Sequence, residues 1–271
     1  MARLGKNRWG KTDVRVSKVH RSDAGDGFSD LNVQVLLEGD VASAHTDGDN
    51  RAVLPTDTMR NTVYCLAQDH LSQDLEEFAT VLGDHFLGRD DVTRATISIA
   101  ERLWSRFGAT GFIGGGSERR IARVTKGAES TTWAGVEGLV VLKTTGSGFS
   151  GFPRDQFTVL PEAGDRILST SVAATWRYST VPDDTTQAWE IARQTLIDRF
   201  FADWSASVQH QGWLMAVAVL EAIPEIEEVD LHLPNQHHLP FDTTRFGMEY
   251  RGTVFHPVSE PYGDIGLTVT R

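Results

Sequence analysis

Two stretches near the start of the chain alternate apolar and polar residues with the two-residue period of a half-buried strand. In residues 10–21 the apolar positions are Val14, Val16 and, after a skip, Val19; in residues 28–40 they are Leu31, Val33, Val35 and Leu37. The linker SDAGDG between them predicts a hairpin. The period then changes. TDTMRNTVYCLAQDH and DLEEFATVLGDHFLGR each begin on Thr or Asp and carry apolar residues three and four apart, as at Leu75, Phe78, Leu82 and Phe86, which predicts two helices. Strands over residues 93–107 and 118–127 follow, separated by the Gly-rich run GATGFIGGGS, which predicts a loop. The first half therefore reads β-β-α-α-β-β.

The same order returns in the second half. Strands are predicted at about residues 132–146 and 167–179, helices at 185–204 and 208–223, and last strands at 225–240 and 261–271. Such a repetition is a fold-level signal. It implies an α+β protein of two tandem repeats, residues 1–130 and 131–271, each an antiparallel four-stranded sheet with two helices on one face. The open face and edges predict self-association.

Composition removes several classes of function. With 271 residues, 40% of them hydrophobic, the chain has material for one large core or two smaller ones. Its 26 basic and 37 acidic residues give a formal charge of -11 and no Lys/Arg run, which argues against a nucleic-acid partner. A single cysteine, Cys65, rules out an intrachain disulfide framework or a Cys-rich metal site and fits a reducing compartment. Between Tyr64 and Leu66 in an apolar helix, it reads as a small buried residue rather than a nucleophile. The basic opening MARLGKNRWGK has no apolar stretch behind it, so no signal peptide is expected, and no segment is long and apolar enough to span a membrane. Gly114, Gly115 and Gly116 precede a strand-like segment instead of a helix, which argues against a phosphate cradle. His237 and His238 would project to opposite faces of an extended chain, poor geometry for one metal, so no metal site is expected.

Candidate chemistry concentrates in residues 138–178. A strand pattern breaks at Phe-Ser-Gly-Phe-Pro-Arg-Asp and resumes through Asp165 and Arg166. An aromatic at a Gly-rich break can lie against a planar ring, and a guanidinium fork can engage two adjacent acceptors in that plane. Phe149 and Arg166 are thus candidates for holding a flat ligand. Taken alone, the residues also allow plainer readings. Phe149 can anchor a loop, Arg166 can pair with Asp165 at the surface, Lys11 can be a solvated strand charge, and Thr56 a helix N-cap.

The strings GKTDVRVSKV, PTDTMRNTVY, GLVVLKTTGSGFSGFPRDQFTVL, DRILSTSVAATWRY, SASVQ, LPNQHH and PYGDIGLTVTR, in that order and spacing, resemble the urate oxidase (uricase) family. The resemblance spans nearly the whole chain. It implies the tunnelling fold, assembled into barrels in a homotetramer with active sites at subunit interfaces. The implied reaction oxidises urate with molecular oxygen to 5-hydroxyisourate and hydrogen peroxide, without metal or organic cofactor. Matched to the family, Phe149 stacks on the purine and Arg166 grips one edge. Gln209 meets another edge, and Val208 contributes a backbone contact and a wall. Lys11, Thr56 and His237 form a proton relay that helps deprotonate urate, whose anion then gives an electron to oxygen. Lys11 and Thr56 are implied to come from a neighbouring subunit. Thr56 and Asn235 hold oxygen, peroxide or water above the ring, and Asp57 contacts the ligand through its backbone. A lysine serving as base needs its pKa depressed by burial or a positive neighbour.

The sequence departs from the family pattern in places. Pro55 precedes Thr56 where a small residue is usual, which puts the presentation of the Thr-Asp turn in question. The Gly-rich run at 108–117 and residues 210–213 also diverge, and the chain ends Val-Thr-Arg without a Ser-Lys-Leu-type peroxisomal signal, so a bacterial-type cytoplasmic protein is expected. Two other function classes remain: a non-catalytic urate-binding protein and another tunnelling-fold purine or pterin enzyme, of which the zinc-dependent type is disfavoured by the single cysteine.

Overall fold

The computed structural model describes residues 2–202 and 204–271. It divides into two compact units, Met1–Val136 with Thr175–Glu190, and Glu137–Ala174 with Ile191–Arg271.

In the first unit four antiparallel strands hydrogen-bond in chain order: β1 (Trp9–His20), β2 (Gly27–Gly39), β3 (Val92–Phe107) and β4 (Gly111–Lys126). Between β2 and β3 lie the short α1 (Ala42–Thr46), which the sequence pattern did not reveal, and the longer α2 (Thr56–His70) and α3 (Leu75–Leu87). The helices bury Met59, Val63, Phe78, Leu82 and Phe86 against Leu31, Val33, Val35 and Leu37. Each such side chain contributes about 1.5–3 kcal/mol of burial, which is what holds helices of this length on the sheet. Asp74 caps α3 by accepting from Glu77 N at 2.8 Å. Lys18 performs the converse service for α2, donating to the carbonyls of Gln68 and Leu71 at 2.9 and 2.8 Å.

Four expectations are corrected here. The irregularity in β1 comes earlier than Val19: the register shifts between Lys11 and Val14, where Asp13 takes a φ of 57°. Beyond that bulge the alternation is regular, so Val19 falls on the outer face and is 43% exposed. The Gly-rich run is mostly strand, since Gly111 begins β4 and Gly114 pairs with Trp104. A Cβ on Gly115 would stand 2.9 Å from the Leu103 carbonyl oxygen, beside the register shift between Arg102 and Trp104, so glycine there accommodates a bulge. Pro55, not Thr56, is the N-cap of α2, and no side chain caps that end. Cys65 is exposed, because the buried face of α2 runs through Met59, Val63 and Ala67.

The second unit is built on β5 (Thr131–Lys143), β6 (Leu168–Tyr178), β7 (Ile226–His232) and β10 (Gly266–Thr270), hydrogen-bonded in that order. The chain of β5, β6 and α4 (Thr185–Ala202) passes through both units. The helix α5 (Val208–Ala222) lies in the second unit, as do β8 (Asn235–Pro240) and β9 (Phe255–Gly263). The single strand predicted over 225–240 is two strands with different partners. β7 pairs with β10, whereas β8 meets β6 at Thr170 and otherwise pairs with β9. Pro234 stands at the break, where its missing N–H cannot continue a ladder. Leu233 N instead donates to Ile265 O at 2.7 Å. The last strand, predicted over 261–271, is likewise divided, with β9 beginning at Phe255 and β10 at Gly266. No helix among the described residues is long and apolar enough to cross a membrane.

Candidate active site

The turn between β5 and β6 is fastened at several points by backbone hydrogen bonds. Gly148 N donates to Ser205 O at 2.8 Å and Ser205 N to Gly146 O at 3.0 Å, which ties the turn to the segment entering α5. Phe149 and Ala163 exchange N–H···O bonds of 2.7 and 2.9 Å, and Arg166 N donates to Ser147 O at 2.7 Å. The approach is close enough that a Cβ on Gly148 would lie 2.9 Å from the Trp204 ring and 3.2 Å from two carbonyl oxygens. These bonds bring Phe149 and Arg166, seventeen positions apart in sequence, together: the guanidinium carbon lies 5.4 Å from the Phe149 ring centroid.

Asp165 does not pair with Arg166 as the plainer reading held. Its carboxylate accepts from the Thr145 hydroxyl, from Gly146 N at 2.7 Å and from Ser147 N at 3.3 Å. The Thr145 hydrogen bond chiefly holds its pKa below the usual carboxylate range. Arg166 is half-buried, and its Nε is shielded from solvent with no hydrogen-bond partner among the described residues. Burial pushes the guanidinium pKa down from its ordinary value, yet arginine stays charged at neutral pH.

Two other elements complete the wall. Ser207 caps α5, its hydroxyl accepting from His210 N at 3.1 Å, which sets Val208 and Gln209 in the first turn. The N–H groups of a first turn have no partner within their helix and favour negative charge, so an anionic ring would be well placed there. Val208 is buried, while the Gln209 amide is exposed. On β8, Asn235 is buried and its Nδ2 lies 3.4 Å from His237 Nδ1. The register of β8 on β9 shifts between Asn235 and His237, and both His237 and His238 border the same cavity.

Phe149, Arg166, Val208, Gln209, Asn235 and His237 all line one cavity of about 560 Å³. That is ample for a drug-sized or smaller planar molecule. Sequence patterning missed the remaining wall, to which Leu160, Tyr250, Phe255 and Ile265 contribute. Tyr250 lies in a stretch without periodicity, so no pattern marked it. The other predicted site residues, Lys11, Thr56 and Asp57, belong to the first unit. Lys11 is paired with Val35 immediately before the β1 bulge. Thr56 opens α2 and is exposed, and Asp57 pairs with Arg60 at 2.9 Å. Trp9 Nε1 donates to Leu54 O at 3.1 Å, fastening the start of β1 to the approach to α2. Among the described residues, no group of three or more His, Cys, Asp or Glu could hold a metal ion.

The model of the uricase family matches the chain twice in succession, over residues 7–131 and 132–266. The chain belongs to the uricase family. The Arthrobacter globiformis uricase is 43% identical over 99% of this chain and 90% of its own length. The Dictyostelium discoideum uricase is 37% identical over 100% and 98%. A crystal structure of the Arthrobacter globiformis uricase superposes with a TM-score of 0.96 at 42% identity, covering 100% of this chain and 96% of that one. A urate oxidase from Bacillus sp. TB-90 gives a TM-score of 0.85 over 98% of this chain and 100% of its own at 21% identity, a likeness of fold alone. The fold is thus the α+β tunnelling fold in two tandem repeats, as the family resemblance implied.

Proposed function

We propose that this uricase-family chain oxidises urate, with molecular oxygen and water consumed and 5-hydroxyisourate and hydrogen peroxide formed, and that the second-unit cavity is where urate binds. The observation that carries the assignment of the cavity is Arg166, a charged fork bordering a ring-sized space beside Phe149. A planar, acceptor-rich anion answers both needs. Phe149 stacks on its face, Arg166 and Gln209 engage two edges, and Val208 contributes its backbone and closes one side. Asn235 holds oxygen, peroxide or water above the ring, together with Thr56.

Lys11, Thr56 and His237 supply the proton relay, and Asp57 adds a backbone contact. Deprotonation makes urate a better one-electron donor, oxygen accepts that electron, and recombination of the two radicals gives a hydroperoxide. Loss of peroxide and addition of water then complete the balance, with no metal or organic cofactor required. Lys11, Thr56 and Asp57 come from a neighbouring copy in a homotetramer of barrels, the repeats being residues 1–130 and 131–271. A cytoplasmic location suits a chain whose lone thiol is exposed.

The deciding experiment mixes metal-stripped protein with urate and follows urate absorbance together with oxygen uptake. Loss of both signals at equal rates is expected. Urate binding without oxygen consumption would instead establish a non-catalytic urate-binding protein. Light scattering in solution tests the tetramer, for which a mass of one chain would be the contrary result.

A further inference from the structure

Resting on the reading of the cavity as the urate site, we propose that Phe152 is a positioning residue for Phe149 and that Arg154 closes the stack behind it. The two phenylalanine rings are nearly parallel, 14° apart in plane with centroids separated by 4.9 Å. Phe149 lines the cavity, whereas Phe152 is absent from its lining. Phe152 therefore backs Phe149 without bordering the cavity itself, and the Phe149 ring, with the Arg166 guanidinium carbon 5.4 Å from its centroid, is the member of the pair that a ligand would meet. The Arg154 guanidinium carbon stands 5.0 Å from the Phe152 centroid, so the sequence of groups runs Arg154, Phe152, Phe149 and then ligand.

The local chain is shaped for this arrangement. Gly151 has a φ of 72°, and its N–H donates to Glu162 Oε1 at 3.2 Å. Nothing lies within 4 Å of where a Cβ would be, so the left-handed backbone, not space, is what calls for glycine. The turn at Ser150 and Gly151 folds the chain back, placing aromatic rings three positions apart face to face. An unsupported phenylalanine at the rim of an open cavity would sample several χ1 states, and ligand binding would then have to select one. A parallel ring behind it removes that freedom beforehand. The face of a benzene ring also carries negative quadrupole density, unfavourable toward an anion, and a cation at the far end of the stack offsets this.

The test compares Phe152→Ala, Phe152→Leu and Phe152→Tyr for urate turnover and for equilibrium binding of xanthine, a planar purine with the same fused rings. Expected are about tenfold increases in urate KM and xanthine Kd for Ala, return to within about twofold of wild type for Tyr, and only partial return for Leu. In a Phe149→Ala background, Phe152→Ala should add less than about twofold, because its effect passes through Phe149. Leu performing as well as Tyr, or full additivity in the double variant, overturns the proposal. Should Phe152→Ala fail to fold, the comparison of Tyr with Leu still decides. Oxygen uptake by wild type with xanthine affinity insensitive to Phe152 refutes the stack alone. Absence of oxygen uptake with affinity still dependent on Phe152 refutes the oxidase reading and leaves the stack standing.

Discussion

The guanidinium of Arg166 has lost hydration at Nε without gaining a partner among the described residues. A polar group left in that condition costs about 1–3 kcal/mol, so the fold holds Arg166 in place at some expense of stability. Arg166→Lys keeps the charge but not the planar fork, so it should raise urate KM about tenfold or more while kcat falls less. Steady-state kinetics on purified protein check this, and an unchanged KM would remove Arg166 from the binding role. Lys11 and Thr56 are expected to behave oppositely. Lys11→Met and Thr56→Ala should lower kcat by about ten- to a hundredfold with KM within about threefold, since a proton relay acts mainly after binding. Parallel losses in binding and turnover would sink the relay. Thr56 is exposed at the first position of its helix, where Pro55 is the N-cap and no side-chain cap hydrogen bond is made.

Among the elements, long segments with clear periodicity were legible in the sequence: β2, α2, α3 and α5 form where the pattern placed them. What escaped depended on partners distant in sequence. Gly111 to Gly114 join β4 because β3 extends to Phe107 and pairs with them, a tertiary circumstance that outweighs poor strand propensity. β8 looked continuous with β7 because both are short and only Leu233 and Pro234 stand between them, and their different partners are what separate them. Phe149 and Arg166 were legible because a strand pattern broke around unusual residues, whereas Tyr250 reaches the cavity from an unpatterned connection. A buried element-level pair was not legible at all. Arg120 on β4 donates to Glu76 of α3 at 2.8 Å with both nearly solvent-free, and Thr185 donates to the same carboxylate oxygen at 2.8 Å. Arg120→Met should destabilise the protein by about 3–5 kcal/mol by stranding Glu76, and adding Glu76→Leu should recover much of that loss. Urea denaturation of the three proteins checks it, and equal stability of single and double variants would contradict the pairing argument.

At the scale of the whole molecule, the charge of -11 gives an anionic substrate no general attraction, so local groups such as Arg154 and Arg166 must provide it. Stability should also respond to pH through Glu101, whose pKa is raised to about 7, chiefly by burial and partly by Glu76 and Asp30 against the opposing pull of Arg120. A carboxyl raised above its unfolded value of 4.5 binds its proton more tightly in the folded state, so stability falls as pH rises from about 4.5 to about 7 and then levels. The loss over that interval is roughly 3 kcal/mol. Glu101→Gln should therefore flatten the decline, so that its melting temperature relative to wild type rises from pH 5 to about pH 7 and then levels; a constant difference would refute this. Asp30 contributes in the other direction: its pKa is lowered, first by the Arg15 hydrogen bond, so its stabilisation is present above its ordinary 3.8 and is lost in stronger acid. The break at Pro234 has a practical meaning beyond strand pairing. Leu233 bonds to Ile265, and Asn235 pairs with Gly263, so the chain leaves the β7–β10 ladder and returns to it at adjoining points. Residues 234–264 thus form an excursion whose two ends are already clasped, carrying Asn235, His237 and Tyr250 with it. Exchanging this segment between relatives should replace one wall of the cavity while the β7–β10 ladder keeps its sequence, provided that the pairing of Asn235 with Thr170 of β6 is kept.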